Sequence, residues 1–245
     1  MYGGGGSVRQ KHNMKHALDV LYEDNHLLVV NKPTRLATMG LPAGEETLLT
    51  RAKDYIARRY NKPGNVYLGV VSRLDTPVSG VVVIARTSKA ADRLNCQFRD
   101  HTVEKIYLAA VEGVTPPEGT LRDWMEEDSH HRKCYVTLHP ESHRPNAQTS
   151  PAKEAVLHYR RLRRQGNISL LEIRLETGRK HQIRVQLSHA GWPIAGDWKY
   201  KSRVKMDEGI ALHARRLTLE HPVLHQTMTF VAPMPQNWPI STDGI

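Results

Sequence analysis

Val70-Val71-Ser72-Arg73-Leu74-Asp75-Thr76-Pro77-Val78-Ser79-Gly80-Val81-Val82-Val83-Ile84-Ala85 holds two apolar runs separated by a polar turn. Val70-Val71 and Val81 to Ile84 are β-branched, a side-chain shape that suits a pleated, buried surface better than a helix. Both runs are therefore expected as buried strands. Pro77 fixes its own φ and has no N–H to donate, so no helix passes through it, and Gly80 marks the far end of the turn. Arg73 and Asp75 thus fall where a strand gives way to a loop. A carboxylate in that place is held rigidly from behind and open in front, as a reacting group must be. Spacing alone does not choose between that role and a plain surface ion pair of Arg73 with Asp75.

Outward from this segment, the chain alternates strand and helix signals. Leu18, Val20 and Tyr22 alternate with polar residues, and His26 to Val30 returns as a more buried strand closed by Asn31-Lys32-Pro33. Thr47 is the expected cap of a helix to about Tyr60, with Leu48, Ala52, Tyr55 and Ile56 on one face. Ser88 is expected to cap a second helix to about Asp100. Val103 to Gly113 reads as a strand. Residues 114–152, rich in Pro, His and charge, are expected as loops with a short ribbon around Cys134 to Leu138. Ala155 to Leu162 and Ile168 to Leu175 pair across the turn Gln165-Gly166-Asn167. Thr177 is expected to cap a helix carrying Ile183 and Leu187 on one face and ending at Gly191. Thr227 to Val231 is a last strand. Residues 1–16, with Gly3 to Gly6 and then basic and polar residues, read as a flexible tail ahead of a single domain over 17–245.

Composition sets the class. The chain has 245 residues, enough for a substantial core, with 39% hydrophobic and 24% charged residues. Lys and Arg number 35 against 25 acidic residues, a formal net charge of +10 that favours a polyanionic partner, nucleic acid being the commonest, with a basic protein that has no such partner as the alternative. Cys96 and Cys134, with no CxxC spacing, imply neither a disulfide framework nor a zinc finger and fit a reducing cytoplasm. No run of about 18 apolar residues is present to span a membrane. His130, His131, His139 and His143 fit no standard zinc spacing, so no metal is expected.

Four separated motifs resemble the RluA-type pseudouridine synthases, in that family's order. Arg73-Leu74-Asp75 with Ser79-Gly80 resembles its central motif, although Ser72 stands where His is usual and Val78 where Thr is common. Lys32-Pro33 after the hairpin and Lys105-Ile106-Tyr107 resemble two more. Thr177-Gly178-Arg179-Lys180-His181-Gln182-Ile183-Arg184, with Lys180 in place of Thr, is followed by Gly191-Trp192-Pro193-Ile194-Ala195-Gly196-Asp197 and then Leu212-His213-Ala214. The resemblance implies an α+β pseudouridine synthase fold: a mixed, mostly antiparallel sheet with flanking helices and a central cleft. It implies Asp75 as nucleophile, Arg184 as its partner and Tyr107 against the flipped uracil. Arg73, Lys105, Ile183, Lys32, Arg179 and His181 are the expected substrate contacts, with Arg73 filling the place the base leaves. For Lys32 a plain surface position is an equal alternative. Because only the Gly-rich segment precedes the hairpin, no S4-type RNA-binding domain is expected, and a monomer acting on an rRNA or tRNA stem-loop follows.

The implied reaction breaks the bond from ribose C1′ to uracil N1, turns the base and joins C5 to C1′. It involves no redox change, so no cofactor is expected. It needs a carboxylate, a cation that keeps it ionised, an aromatic plate for the base, and a way to take the target out of the stack. Two other classes compete. A catalytically inactive relative that only grips RNA is expected to lack Asp75, Tyr107 or Arg184, and all three are present. A hydrolase built on Asp75 and a histidine needs a nucleophile elbow, a metal motif or a phosphate loop, and the sequence has none.

Overall fold

The alternation of side chains along two neighbouring strands decides where the helices pack. The computed structural model describes residues 17–42, 44–139 and 149–245, so the Gly-rich segment, His143 and Pro145 lie outside the described residues. Strand β1 (Val20–Glu23) forms a hairpin with β2 (Leu27–Lys32), and β2 lies antiparallel to β4 (Ser79–Ala85). Every residue of β4 is buried. On one face, Leu28, Val30, Val82 and Ile84 cluster with Leu48, Ala52 and Ile56 of helix α1 (Leu48–Arg59). On the other, Leu27, Val29, Val81 and Val83 cluster with Ala90, Ala91 and Leu94 of helix α2 (Ser88–Arg99). Period-two strands sandwiched between helices read as near-continuous apolar runs, which is why this pair was visible in the sequence.

The other strands are β3 (Gly69–Val70), β5 (Glu104–Glu112), β6 (Glu118–Asp128), β7 (Lys133–Thr137), β8 (Lys153–Gln165), β9 (Ile168–Leu175), β10 (Leu212–Glu220) and β11 (Thr227–Val231). With β1, β2 and β4 they form an 11-stranded sheet ordered β1-β2-β4-β10-β5-β9-β8-β6-β7, β11 adding to β10 and β3 to β4. Among the described residues, only β4 and β10 pair as parallel strands, through His213 with Ser79 and Ala214 with Gly80. Gly80 is required there: its φ is +116°, and a Cβ would lie 2.3 Å from the Ala214 carbonyl oxygen. This is the mixed, mostly antiparallel sheet with flanking helices that the motifs implied.

Several local expectations need correction. The cap of α2 is Thr87, whose Oγ1 accepts from Ala90 N, and Ser88 is already helical. Thr47 does cap α1, in a reciprocal pair with Thr50. Thr177 caps nothing: helix α3 (Gln182–His189) begins five residues later, and Thr177 Oγ1 accepts from Val156 N and donates to Gln182 Oε1. The segment read as loops contains β6, eleven residues long, paired with both β7 and β8. Its half-charged composition hides a strand that the neighbouring ladders impose.

Candidate active site

Two elements from distant parts of the chain build the site. The first is the loop between β3 and β4. Thr38 Oγ1 donates to the Leu74 carbonyl at 2.8 Å, and Val78 N donates to the Asp75 carbonyl at 3.0 Å. Behind the loop lies Lys32. Because Leu28, Val30 and Lys32 share one face of β2, its side chain enters the interior, with no exposed surface. Its Nζ donates to the carbonyls of Pro33 (2.8 Å), Leu36 (2.7 Å) and Thr76 (3.3 Å). Burial pushes its pKa down to about 7, against the opposing pull of Asp75. Both readings of Lys32, as surface residue and as RNA contact, are therefore wrong: it braces the loop from within.

The second element is α3. Ile183 and Leu187 pack into the central core, while Gln182 and Gln186 donate to the carbonyls of Val156 and Ala155 on β8. The helix is thereby fixed on the sheet by both apolar and polar contacts, and Arg184 is aimed at the loop. Arg184 Nη1 donates to Asp75 Oδ2 at 2.8 Å. Its Nε and Nη2 donate to Asp197 Oδ2 and Oδ1 at 2.6 and 2.9 Å. The guanidinium also lies over the Tyr200 ring, 5.0 Å from its centre. Burial works against its charge, but Asp197 first and Asp75 second outweigh it, and the pKa rises. Asp197 is 2% exposed and Asp75 27%, so the two carboxylates differ in their access to water.

His181 closes the arrangement. It occupies the residue before α3 in a left-handed conformation, φ 55°. Its Nδ1 lies 2.7 Å from Tyr200 Oη, which also accepts from Cys134 N, and its Nε2 lies 3.6 Å from Asp75 Oδ2. Burial pushes its pKa down to about 4, Asp75 opposing and Arg184 adding to the fall. The ring is thus neutral near pH 7. From these partners the proton is assigned to Nε2, facing the carboxylate, with Nδ1 accepting from the Tyr200 hydroxyl. Among the described residues, Asp75 Oδ1 has no protein partner.

Asp75 opens on a cleft lined by Arg73, Leu74, Tyr107, Arg179, His181 and Ile183. Burial raises the Tyr107 pKa, and the negative charge of Asp75 raises it further, so the phenol keeps its proton. Lys105 lines an adjoining hollow, separated from the cleft by Arg73, Leu74 and Tyr107. The structure therefore gathers eight of the nine expected residues around one opening and its neighbour, Lys32 excepted. Sequence reasoning missed the parts played by Asp197 and Tyr200. A carboxylate following the apolar Trp192-Pro193-Ile194-Ala195-Gly196 run was the available signal for the first, and Tyr200 had none.

A family model described as RNA pseudouridylate synthase matches residues 26–189. A ribosomal large subunit pseudouridine synthase D from Neisseria meningitidis serogroup A is 34% identical over 233 residues, covering 90% of this chain; the chain spans 59% of that relative's length. An uncharacterised RNA pseudouridine synthase from Bacillus subtilis is 34% identical, covering 90% of this chain and 70% of the relative. The solved structure of human RNA pseudouridylate synthase domain containing 4 superposes with a TM-score of 0.73 at 26% identity, covering 89% of each chain. The family match spans the Asp75 loop, the Tyr107 strand and α3, and on that ground the chain belongs to the RluA-type RNA pseudouridylate synthases.

Proposed function

We propose that this protein isomerises uridine to pseudouridine within RNA, Asp75 supplying the reacting carboxylate. The observation that carries the reading is the state of that carboxylate. Oδ2 is engaged by Arg184, Oδ1 has no partner among the described residues, and Asp75 lines a cleft that has Tyr107 on its wall. Arg184 holds Asp75 through one oxygen and leaves the carboxylate 27% exposed. The C1′–N1 bond breaks, the detached uracil turns in the cleft, and C5 bonds to C1′. The C5 proton then leaves and N1 gains one, so atoms balance without a cofactor. Tyr107, still protonated, offers a stacking face and a hydrogen-bond donor rather than a base. Arg73, exposed at the cleft edge, fills the gap in the stack once the nucleotide has flipped. The names of the relatives favour large-subunit ribosomal RNA as the substrate.

Tritium release from C5-labelled uridine in a large-subunit rRNA transcript tests the reading. The parent protein should release label and Asp75→Asn should not. Strand cleavage without release would mark a hydrolase, and binding without either would mark an inactive relative.

A further inference from the structure

The hollow beside the cleft contains charge that the protein does not balance. Lys105 and Tyr107 are two residues apart on β5 and so share one face of it. Lys105 is partly buried, and its Nζ lies 3.5 Å from where a side chain on Gly178 would begin, against the loop that leads to α3. Among the described residues this ammonium has neither an ion pair nor a hydrogen-bond acceptor. Burial alone lowers its pKa, with no carboxylate opposing. Asp75 pairs with Arg184 instead. The Ser72 hydroxyl lines the same hollow and likewise has no partner, while Arg216 at the rim already pairs with Glu104. A half-desolvated cation kept unpaired costs stability unless something else takes up its charge.

We propose that Lys105 and Ser72 form a phosphodiester site, holding the backbone phosphate next to the nucleotide that enters the Asp75 cleft. The placement suits that ligand. The hollow and the cleft share Arg73, Leu74 and Tyr107 as a common wall, so a phosphate in one and a flipped nucleotide in the other belong to one strand. The ammonium supplies charge and the hydroxyl one directed donor. Ser72 adjoins Arg73 and stands two residues before Asp75, so the contact also fixes the distance from backbone to carboxylate. The site deepens the proposed function, since it presumes that the cleft takes a flipped nucleotide.

The test uses Lys105→Met, which removes the charge and keeps most of the stem, and Lys105→Arg, which keeps the charge. Binding of a fluorescein-labelled oligouridylate is titrated across a range of salt concentrations. Lys105→Met should weaken binding about tenfold and make the slope of log K against log salt shallower by about 0.7. Lys105→Arg should restore most of both. Thermal stability of Lys105→Met should match or exceed the parent, because an unpaired buried charge has gone. An unchanged slope, or a lowered melting temperature with unchanged slope, sinks the phosphate site. Tritium release by the parent is measured on the same preparation. A parent that turns over while Lys105→Met keeps its slope defeats this site alone. A slope change in Lys105→Met beside a parent that forms no pseudouridine defeats the functional reading and leaves the site standing.

Discussion

Arg184 separates the contributions of two carboxylates, and substituting each in turn gives opposite outcomes. In Asp197→Asn the guanidinium loses a bidentate partner that is 2% exposed. One amide oxygen still accepts, but the amide N–H₂ now faces a guanidinium N–H, so one of two short contacts becomes repulsive. Removing one member of a buried pair typically costs about 3–5 kcal/mol. With one hydrogen bond and the Asp75 contact retained, we expect about 3 kcal/mol, or roughly 6–12 °C in melting temperature for a chain of this size. In Asp75→Asn, Arg184 keeps both bonds to Asp197, and the lost partner is 27% exposed. Solvent screening then limits the cost to about 1 kcal/mol or less. Urea unfolding followed by circular dichroism measures both, with tritium release on the same preparations. Asp75→Asn should be stable and inactive; Asp197→Asn should be unstable and, when folded at low temperature, retain reduced turnover. Equal destabilisation by the two substitutions would falsify this division, and so would substantial turnover by a well-folded Asp75→Asn protein.

Three further outcomes follow from the same geometry. Tyr107→Phe should fold and bind RNA but slow turnover, whereas Tyr107→Ala should also lose about 1–3 kcal/mol of binding as stacking goes; unchanged turnover in the Phe variant would leave the hydroxyl no part in the chemistry. Tyr200→Phe keeps the ring under Arg184 but removes the donor to His181 Nδ1, so the acid limb of the pH–rate profile should move to higher pH, and an unmoved limb would refute the tautomer assignment. His213 is fully buried between Ser79 and the Ala232 carbonyl, and burial lowers its pKa from 6.5 to about 4. Its neutral form is the stable one. The stabilisation is complete above pH 6.5 and is lost as pH falls towards 4, by up to about 3 kcal/mol; His213→Gln should flatten that limb of a melting-temperature series.

How far the sequence revealed these features depended on whether local pattern or distant contact decided each one. The strands β2 and β4 were legible because burial on both faces leaves Leu27 to Val30 and Val81 to Ala85 as unbroken apolar runs. Thr47 was legible as a cap because capping is satisfied within one turn. The strand β6 was not, since Glu118, Arg122, Asp123 and Glu126 to Asp128 give it little β preference, and its state is fixed by pairing with β8. Thr177 was misplaced for the same reason: its hydroxyl finds Val156 on β8 before any helix N-terminus. For Lys32, the alternation Leu28, Val30, Lys32 did point inward, but a lysine in a core needs three nearby carbonyls, and those come from loops that local pattern does not position.

The pairing of a dry carboxylate with a wet one explains why the site needs both. Arg184 is deep enough that a single carboxylate would be bound to it by two hydrogen bonds, with both oxygens occupied. Asp197 takes that position, neutralising the guanidinium from the buried side and fixing its plane. The remaining N–H reaches Asp75 through one oxygen only, so the second oxygen stays open towards the cleft. Lys32 contributes from behind by fixing the Thr76 carbonyl, which limits how far the loop, and with it Asp75, can move towards Arg184. A carboxylate bonded to its cation through one oxygen and restrained by its own backbone is positioned for the reacting role proposed for Asp75.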